Sequence, residues 1–151
     1  MTAPHSMDQL SIVFGAPEHG WLGVEVSTAN GTLREDVSDV PGNTLAELVG
    51  CLTRIASGSQ HERLEWSLEP EFWEWTFDVD GDEIDFRMNL RRRGTSAVRV
   101  SKDDLLRTAC RSLLRLEAEP AWRSEDAESR VWSWEFPDAD LAKLRSMVLR
   151  S

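Results

Sequence analysis

The chain has 151 residues, of which 40% are hydrophobic and 29% are charged. This composition is too apolar for a disordered protein, and the length suits one domain with its own core, so we expect a single domain over residues 1–151. Its 17 Lys and Arg residues against 27 Asp and Glu residues give a formal net charge of −10, which opposes binding to nucleic acid or anionic lipid and favours a basic partner.

The first residues, MTAPHSMDQLSIVFG, have neither the basic segment nor the apolar run of a secretory signal peptide. No later stretch is apolar over enough residues to cross a bilayer. These two features predict a cytoplasmic protein. Cys51 and Cys110 lie on apolar stripes of predicted helices, so we expect two buried, free thiols rather than a disulfide.

The first third of the chain alternates apolar and polar residues, which is typical of antiparallel strands. Two paired strands are predicted around residues 10–14 and 22–26. Asn30 and Gly31 are typical of a tight turn because both residue types accept positive φ. A short third strand is predicted over residues 33–37.

The apolar period then becomes that of a helix. Thr44 and Glu47 have the spacing of a capping box, and Gly58 is expected to end the helix. Its predicted buried stripe consists of Leu45, Leu48, Val49, Leu52 and Ile55. A further strand is predicted around residues 64–68, and Pro70 separates it from the next element.

A β-hairpin with one apolar face is predicted over residues 73–88. The residues of that face are spaced by two: Trp73, Trp75, Phe77, Ile84, Phe86 and Met88. With Asp80 and Gly81 as the central residues of a type I′ turn, the register is defined. The predicted pairs are Phe77–Ile84, Trp75–Phe86 and Trp73–Met88 on the apolar face, and Glu74–Arg87 and Thr76–Asp85 on the other.

Between Leu64 and Phe86, along this hairpin and just before it, the chain has nine acidic residues and no Lys or Arg. They are Glu65, Glu69, Glu71, Glu74, Asp78, Asp80, Asp82, Glu83 and Asp85. With the apolar face buried, the carboxylates would form an uncompensated negative surface on a rigid element. This surface is the predicted partner-binding site, although the solvated face of an antiparallel sheet is also commonly polar.

Beyond the hairpin, a loop of Arg93, Gly94 and Thr95 is predicted to lead into another strand. The predicted pairs of that strand are Val98–Leu90 and Val100–Met88. Ser101 and Asp104 are expected to open a second helix. Its predicted buried stripe consists of Leu105, Leu106, Ala109, Cys110, Leu113 and Leu114.

Residues 119–151 are predicted to be an appendage packed on the same domain. Residues 132–136 alternate like an edge strand, and Asp138 is expected to cap a short helix. That helix carries Leu141, Leu144 and Val148. The predicted fold is therefore α+β: one antiparallel sheet of about six strands, two amphipathic helices on one face, and a C-terminal strand and helix.

No pattern in the chain is typical of a catalytic or metal site. The acidic residues of 78–82 resemble a calcium loop, but counting from Asp78 the positions that an EF-hand gives to Gly and Glu hold Glu83 and Asn89. The three histidines lie too far from one another and from the cysteines for zinc-ligand spacing. We therefore predict a protein that is not an enzyme and holds no metal and no cofactor.

The seven tryptophans fall into two groups. Trp66, Trp73 and Trp75 are in phase with aliphatic positions, which predicts that they lie in the core. The other four are ambiguous, because an exposed Trp can anchor a protein interface or stack on a sugar; they are Trp21, Trp122, Trp132 and Trp134. The basic run 91–93 is expected either to solvate a turn or to offset nearby carboxylates, and it is too short for nucleic-acid binding.

Several segments carry a resemblance to a known group. They are Trp21-Leu22-Gly23-Val24-Glu25-Val26, the helix over 45–55 with its small-residue stop, Leu68-Glu69-Pro70-Glu71-Phe72 before the alternating hairpin to Leu90, and Ser101-Lys102-Asp103-Asp104-Leu105. Through them, residues 8–117 resemble the WapI-like bacterial immunity proteins that accompany polymorphic toxins, whereas the tail from Glu119 departs from that group. The resemblance implies a cytoplasmic protein that binds a cognate toxin domain and blocks its active site or substrate surface. A basic toxin would meet the nine acidic residues.

Three alternatives from other classes remain open. A small acidic secretion chaperone would share the charge and the α+β build, but it typically begins with a helix. A carbohydrate-binding module would require at least two of the four ambiguous tryptophans on one exposed surface. An enzyme would require a concave pocket that holds titratable groups with perturbed pKa values.

Overall fold

The computed structural model describes residues 9–123 and 132–149. In these residues the protein has one antiparallel sheet in which seven strands lie side by side in chain order. The strands are β1 (Ser11–Phe14), β2 (Trp21–Thr28), β3 (Gly31–Ser38), β4 (His61–Ser67), β5 (Phe72–Asp80), β6 (Glu83–Leu90) and β7 (Gly94–Ser101). The helices are α1 (Thr44–Ala56), α2 (Lys102–Glu117) and α3 (Asp138–Val148), and Pro120–Arg123 forms a 3₁₀ turn. The predicted α+β fold is confirmed, with seven strands where about six were predicted.

The core lies between one face of the sheet and the three helices. α1 packs on β4, and α2 packs on β1, β6 and β7. α3 contacts both of these helices, and its Leu141 and Leu144 are fully buried. The helical part of the predicted appendage is therefore packed against the other two helices.

Three tryptophans form the centre of this core. Trp66, Trp73 and Trp75 have no exposed surface, as the alternation predicts. The Trp75 ring meets Trp66 and Trp73 edge-on, each at a centroid distance of 5.3 Å, and meets Phe86 in the same way at 5.2 Å. Edge-to-face contacts at these distances are favourable for aromatic rings. The inner face of β4–β6 is therefore a closely packed aromatic layer.

The predicted register of the acidic hairpin is wrong, although its faces are right. Asp80 pairs with Glu83, so Gly81 and Asp82 are the central residues of the turn. The observed pairs include Phe77–Phe86, Trp75–Met88 and Trp73–Leu90, with Thr76–Arg87, Glu74–Asn89 and Asp78–Asp85 on the other face. Moving a two-residue turn by one residue shifts every pair by two positions and leaves each side chain on the same face. Apolar alternation therefore cannot distinguish the two registers.

In two other turns a glycine that was predicted to lie within the turn is instead the first residue of the following strand. The loop between β6 and β7 is Arg91–Arg93, and Gly94 follows it as the first residue of β7 with φ of 79°. The observed pairs are consequently Val98–Phe86 and Val100–Ile84. The turn between β2 and β3 is Ala29–Asn30, and Gly31, with φ of 127°, begins β3. In both cases the glycine occupies the first strand position, where the left-handed backbone favours it.

The helix starts agree only in part with their predicted caps. Asn43, rather than Thr44, caps α1 and accepts a hydrogen bond from the Ala46 N–H at 3.3 Å. Ser101 caps α2 as predicted, since its Oγ accepts from the Asp104 N–H at 3.2 Å.

The C-terminal segment differs from its prediction at two places. Asp138 is the first residue of α3 and provides no side-chain cap. Residues 132–136 form no strand.

A cluster of charged residues spans a narrow junction in the sheet. β3 and β4 are joined by a single residue pair, Ser38–Ser67. Near this junction, Glu35 of β3 is only 8% exposed, and its carboxylate contacts Arg92 and lies 3.8 Å from the guanidinium of Arg93. Arg92 also lies 3.2 Å from the Glu71 carboxylate. The prediction that this basic run offsets carboxylates is confirmed for Arg92 and Arg93.

The Arg92→Ala substitution is expected to lower the free energy of unfolding by about 1–3 kcal/mol. It would leave the buried Glu35 carboxylate with Arg93 alone, whereas the half-exposed position of Arg92 keeps the cost below that of a fully buried pair. Arg91→Ala is the matched control, since no ion pair of Arg91 is found in the described residues. Urea denaturation measures both variants. Equal losses would show that the contact with Glu35 does not stabilise the fold.

Candidate protein-binding face

The side of β4–β7 opposite to the core is here called the outer face. Antiparallel pairing arranges its side chains in three rows that cross all four strands. The rows are Glu65, Glu74, Asn89 and Thr95; Arg63, Thr76, Arg87 and Ala97; and His61, Asp78, Asp85 and Arg99. Adjacent rows lie about 7 Å apart, because each is separated from the next by two residues of strand.

Charge on the outer face is banded rather than uniformly negative. The row that begins with Arg63 is basic, and it runs between the acidic row of Glu65 and the mixed row of His61. Asp80 and Glu83 extend the outer face at the hairpin tip. The outer face therefore carries six carboxylates and three guanidinium groups. The prediction of an uncompensated negative surface is therefore wrong, although carboxylates remain in excess.

Two arginines hold most of these carboxylates in place. Arg63 Nε donates to Glu74 at 2.8 Å, and the same guanidinium contacts Glu65. Arg99 lies 2.9 Å from Asp80 and 3.1 Å from Asp85, and it also contacts Glu83. Hydrogen bonding to Glu74 raises the pKa of Arg63, and hydrogen bonding to Glu83 raises that of Arg99. Both shifts have the sign expected when carboxylates accept hydrogen bonds from a guanidinium.

The other predicted site residues are distributed around these clusters. Glu71 pairs with Arg92, and Asp78 lies 2.6 Å from the Nδ1 of His61. For Glu69 and Asp82, no ion pair is found in the part of the chain that the structure describes. Seven of the nine predicted acidic residues thus have a basic neighbour, which for Glu65 is Arg63 of the same strand and for the other six lies in another segment of the chain.

A pocket of about 540 Å³ opens at the end of the outer face nearest the β4–β5 loop. We call it the Phe72 pocket; it is lined by Glu65, Pro70, Glu71, Phe72, Glu74, Asn89 and Arg91. Phe72 is 45% exposed. The sequence prediction did not include this pocket, yet a signal was present: Phe72 is one residue out of phase with Trp73, so the same alternation that buries Trp73 turns Phe72 outward.

The four ambiguous tryptophans have different environments. Trp132 is buried, and the half-buried Trp122 donates its indole N–H to the Leu116 carbonyl at 2.8 Å. Trp21 and Trp134 are 40% and 41% exposed. The Trp134 indole donates at 2.8 Å to the carbonyl of Asp39, whose own N–H donates to the residue before Trp21. Two partly exposed tryptophans therefore lie near the same backbone segment.

The two cysteines are buried and free, as predicted. Burial raises the pKa of the Cys51 thiol to about 11 and also raises that of Cys110. Both thiols are therefore protonated at neutral pH, and a protonated thiol is a poor nucleophile. In residues 9–123 and 132–149, no group of three or more His, Cys, Asp and Glu side chains is placed to hold a metal ion.

The helices of the described residues are too short or too polar to cross a membrane. Comparison of the chain with family models, curated proteins and solved structures finds no match.

Proposed function

We propose that this chain is a non-catalytic, cytoplasmic immunity protein that neutralises a basic toxin domain by binding it with the outer face. The observation that supports this most directly is the excess of carboxylates on an open sheet face whose other side is a packed aromatic layer. The resemblance of residues 8–117 to WapI-like immunity proteins suggests the class of partner.

The charge pattern suits protein recognition better than simple solubility. An acidic surface attracts a basic partner over long distances and speeds the encounter. The arginines within the outer face, Arg63, Arg87 and Arg99, would then repel any cation that arrives in the wrong register. Discrimination between related partners commonly depends on such repulsive contacts.

Affinity capture tests this proposal. The tagged chain is incubated with lysate of its source organism at low salt and then washed at high salt. We expect one basic polypeptide to be retained and then released, because screening weakens attraction between exposed charges. The purified polypeptide should be toxic when expressed alone and harmless when this chain is co-expressed.

Other results would contradict the proposal. An acidic or neutral protein cargo would favour a secretion chaperone. A basic polypeptide that stays toxic in the presence of this chain would exclude the immunity function. Retention of no protein would favour a small ligand or a sugar.

A second candidate function is carbohydrate binding, and the exposure of Trp21 and Trp134 favours it. Aromatic rings at these two positions could stack on sugar rings, whereas the outer face would have no part in binding. A glycan array, followed by Trp134→Ala on any ligand found, separates this candidate from the first, because the proposed toxin contact does not use Trp134.

A further inference from the structure

We propose that the Phe72 pocket receives an arginine side chain of the partner protein. This inference rests on the proposed function, since it specifies one contact within the same outer face. The guanidinium group would stack on the exposed Phe72 ring, and the carboxylates of Glu65 and Glu74 would accept its hydrogen bonds. The pocket thereby provides an anchor at one end of the banded charge pattern.

Two carboxylates of the pocket, those of Glu65 and Glu74, each have an oxygen atom that can accept further hydrogen bonds. Arg63 contacts Oε1 of Glu65 and Oε2 of Glu74. For the second oxygen of each of these two carboxylates, no hydrogen bond or ion pair is found in the described residues. Because a carboxylate can accept several hydrogen bonds, a further guanidinium can bind without displacing Arg63. Glu71, by contrast, uses both oxygens: Oε1 accepts a hydrogen bond from the Arg92 backbone N–H, and Oε2 lies 3.2 Å from the Arg92 guanidinium.

The composition of the pocket wall favours a cation with an apolar surface. Three carboxylates line the pocket, those of Glu65, Glu71 and Glu74, and Arg91 is the cationic residue of its wall. Arg63 and Arg92, which lie outside the wall, pair with these carboxylates, so the spare carboxylate oxygens rather than an excess of negative charge are what a further guanidinium would bind. Phe72 and Pro70 supply an apolar area beside these charges. Arginine meets both requirements, because its planar guanidinium stacks on aromatic rings and bridges carboxylates at the same time. Lysine presents a strongly hydrated point charge that matches the apolar area less well.

The position of the pocket agrees with a role in docking a protein. It lies at the end of the outer face, where Pro70 and Glu71 of the β4–β5 loop form part of its wall and Phe72 remains 45% exposed. An exposed aromatic ring surrounded by polar residues is typical of an interface anchor.

N-acetyl-L-arginine N-methylamide is the probe, titrated into the ¹⁵N-labelled full chain and followed by NMR. We expect saturable shifts at the side-chain amide of Asn89 and the backbone of Phe72, with a dissociation constant of about 1–10 mM, as suits a single side chain. The lysine counterpart should bind at least about threefold more weakly. The citrulline counterpart, which has the same shape without charge, should give no saturable shift.

Three variants distinguish stacking from general charge. Phe72→Leu retains an apolar side chain but removes the ring, and it should weaken arginine binding by about three- to tenfold. Phe72→Tyr should retain the affinity, and Trp21→Leu, outside the pocket, is the control that should not change it. Equal affinity of the wild type and Phe72→Leu, or equal binding of citrulline and arginine, would overturn the proposal.

The arginine titration tests the pocket inference, and affinity capture tests the proposed function. A negative result in one experiment therefore does not imply a negative result in the other. If a basic toxin is captured but the arginine probe does not bind, the pocket inference is wrong and the proposed function stands. If the probe binds as expected but no basic partner is captured, the proposed function is wrong and the pocket remains an arginine-binding site. With a captured toxin, Phe72→Leu should also raise the dissociation rate of the complex by about threefold or more.

Discussion

The Trp75→Ala variant is expected to have a free energy of unfolding about 3–5 kcal/mol lower than the wild-type chain. Trp75 is fully buried and makes edge-to-face contacts with Trp66, Trp73 and Phe86. Its truncation would open a cavity in the layer that supports the outer face. Since small domains are stable by only about 5–15 kcal/mol, this is the largest single stability effect we expect. Urea denaturation followed by circular dichroism measures it.

Trp75→Phe is the matched control. The smaller ring preserves most of the packing, and it removes a buried indole N–H for which no acceptor is found in the described residues. These two effects oppose each other, so we expect the free energy of unfolding to fall by less than about 1.5 kcal/mol. If Trp75→Ala lowers the free energy of unfolding no more than Trp75→Phe does, the aromatic layer repacks and its stability does not depend on the Trp75 ring.

The apolar faces could be predicted from sequence because a strand has a side-chain period of two. A register shift of two positions leaves Trp73, Trp75 and Phe77 on the buried face. The register itself depends on which residues occupy the turn, and both Asp80-Gly81 and Gly81-Asp82 suit a tight turn. The observed turn uses the second pair. Periodicity thus identified the faces and left the pairs undetermined.

The charge balance of the outer face depends on contacts that sequence distance hides. Arg63 and Arg99 lie outside the acidic stretch, and Arg99 is 19 residues from its partner Asp80. Arg99 reaches its carboxylates because β7 flanks the acidic hairpin in the sheet, and Arg63, which is only two residues from Glu65 in β4, reaches Glu74 because β4 flanks the other side of that hairpin. A prediction made along the chain counts charges in one segment, whereas the electrostatic field depends on neighbours across strands.

The four-site variant Glu71→Gln, Asp78→Asn, Asp80→Asn and Asp82→Asn is expected to slow association with the captured partner by about 10- to 100-fold at low salt. All four residues lie on or beside the outer face, so their removal lowers its negative potential while Glu65 and Glu74 remain. The salt dependence of the association rate should become flatter, because fewer charges are left to screen. The melting temperature should change little, because exposed ion pairs contribute little stability. Stopped-flow mixing over a series of salt concentrations measures the rate.

The control variant carries Glu18→Gln, Glu47→Gln, Glu135→Gln and Asp140→Asn, which change the net charge by the same amount. These residues lie in the loop before β2, in α1, before α3 and in α3, and none belongs to the outer face of β4–β7. If net charge alone steers the partner, both variants will slow association equally, and the outer face will have no special role. A selective effect of the first variant would mean that the partner is attracted to the outer face itself. The banded arrangement that holds its carboxylates beside Arg63 and Arg99 would then be part of the recognition pattern.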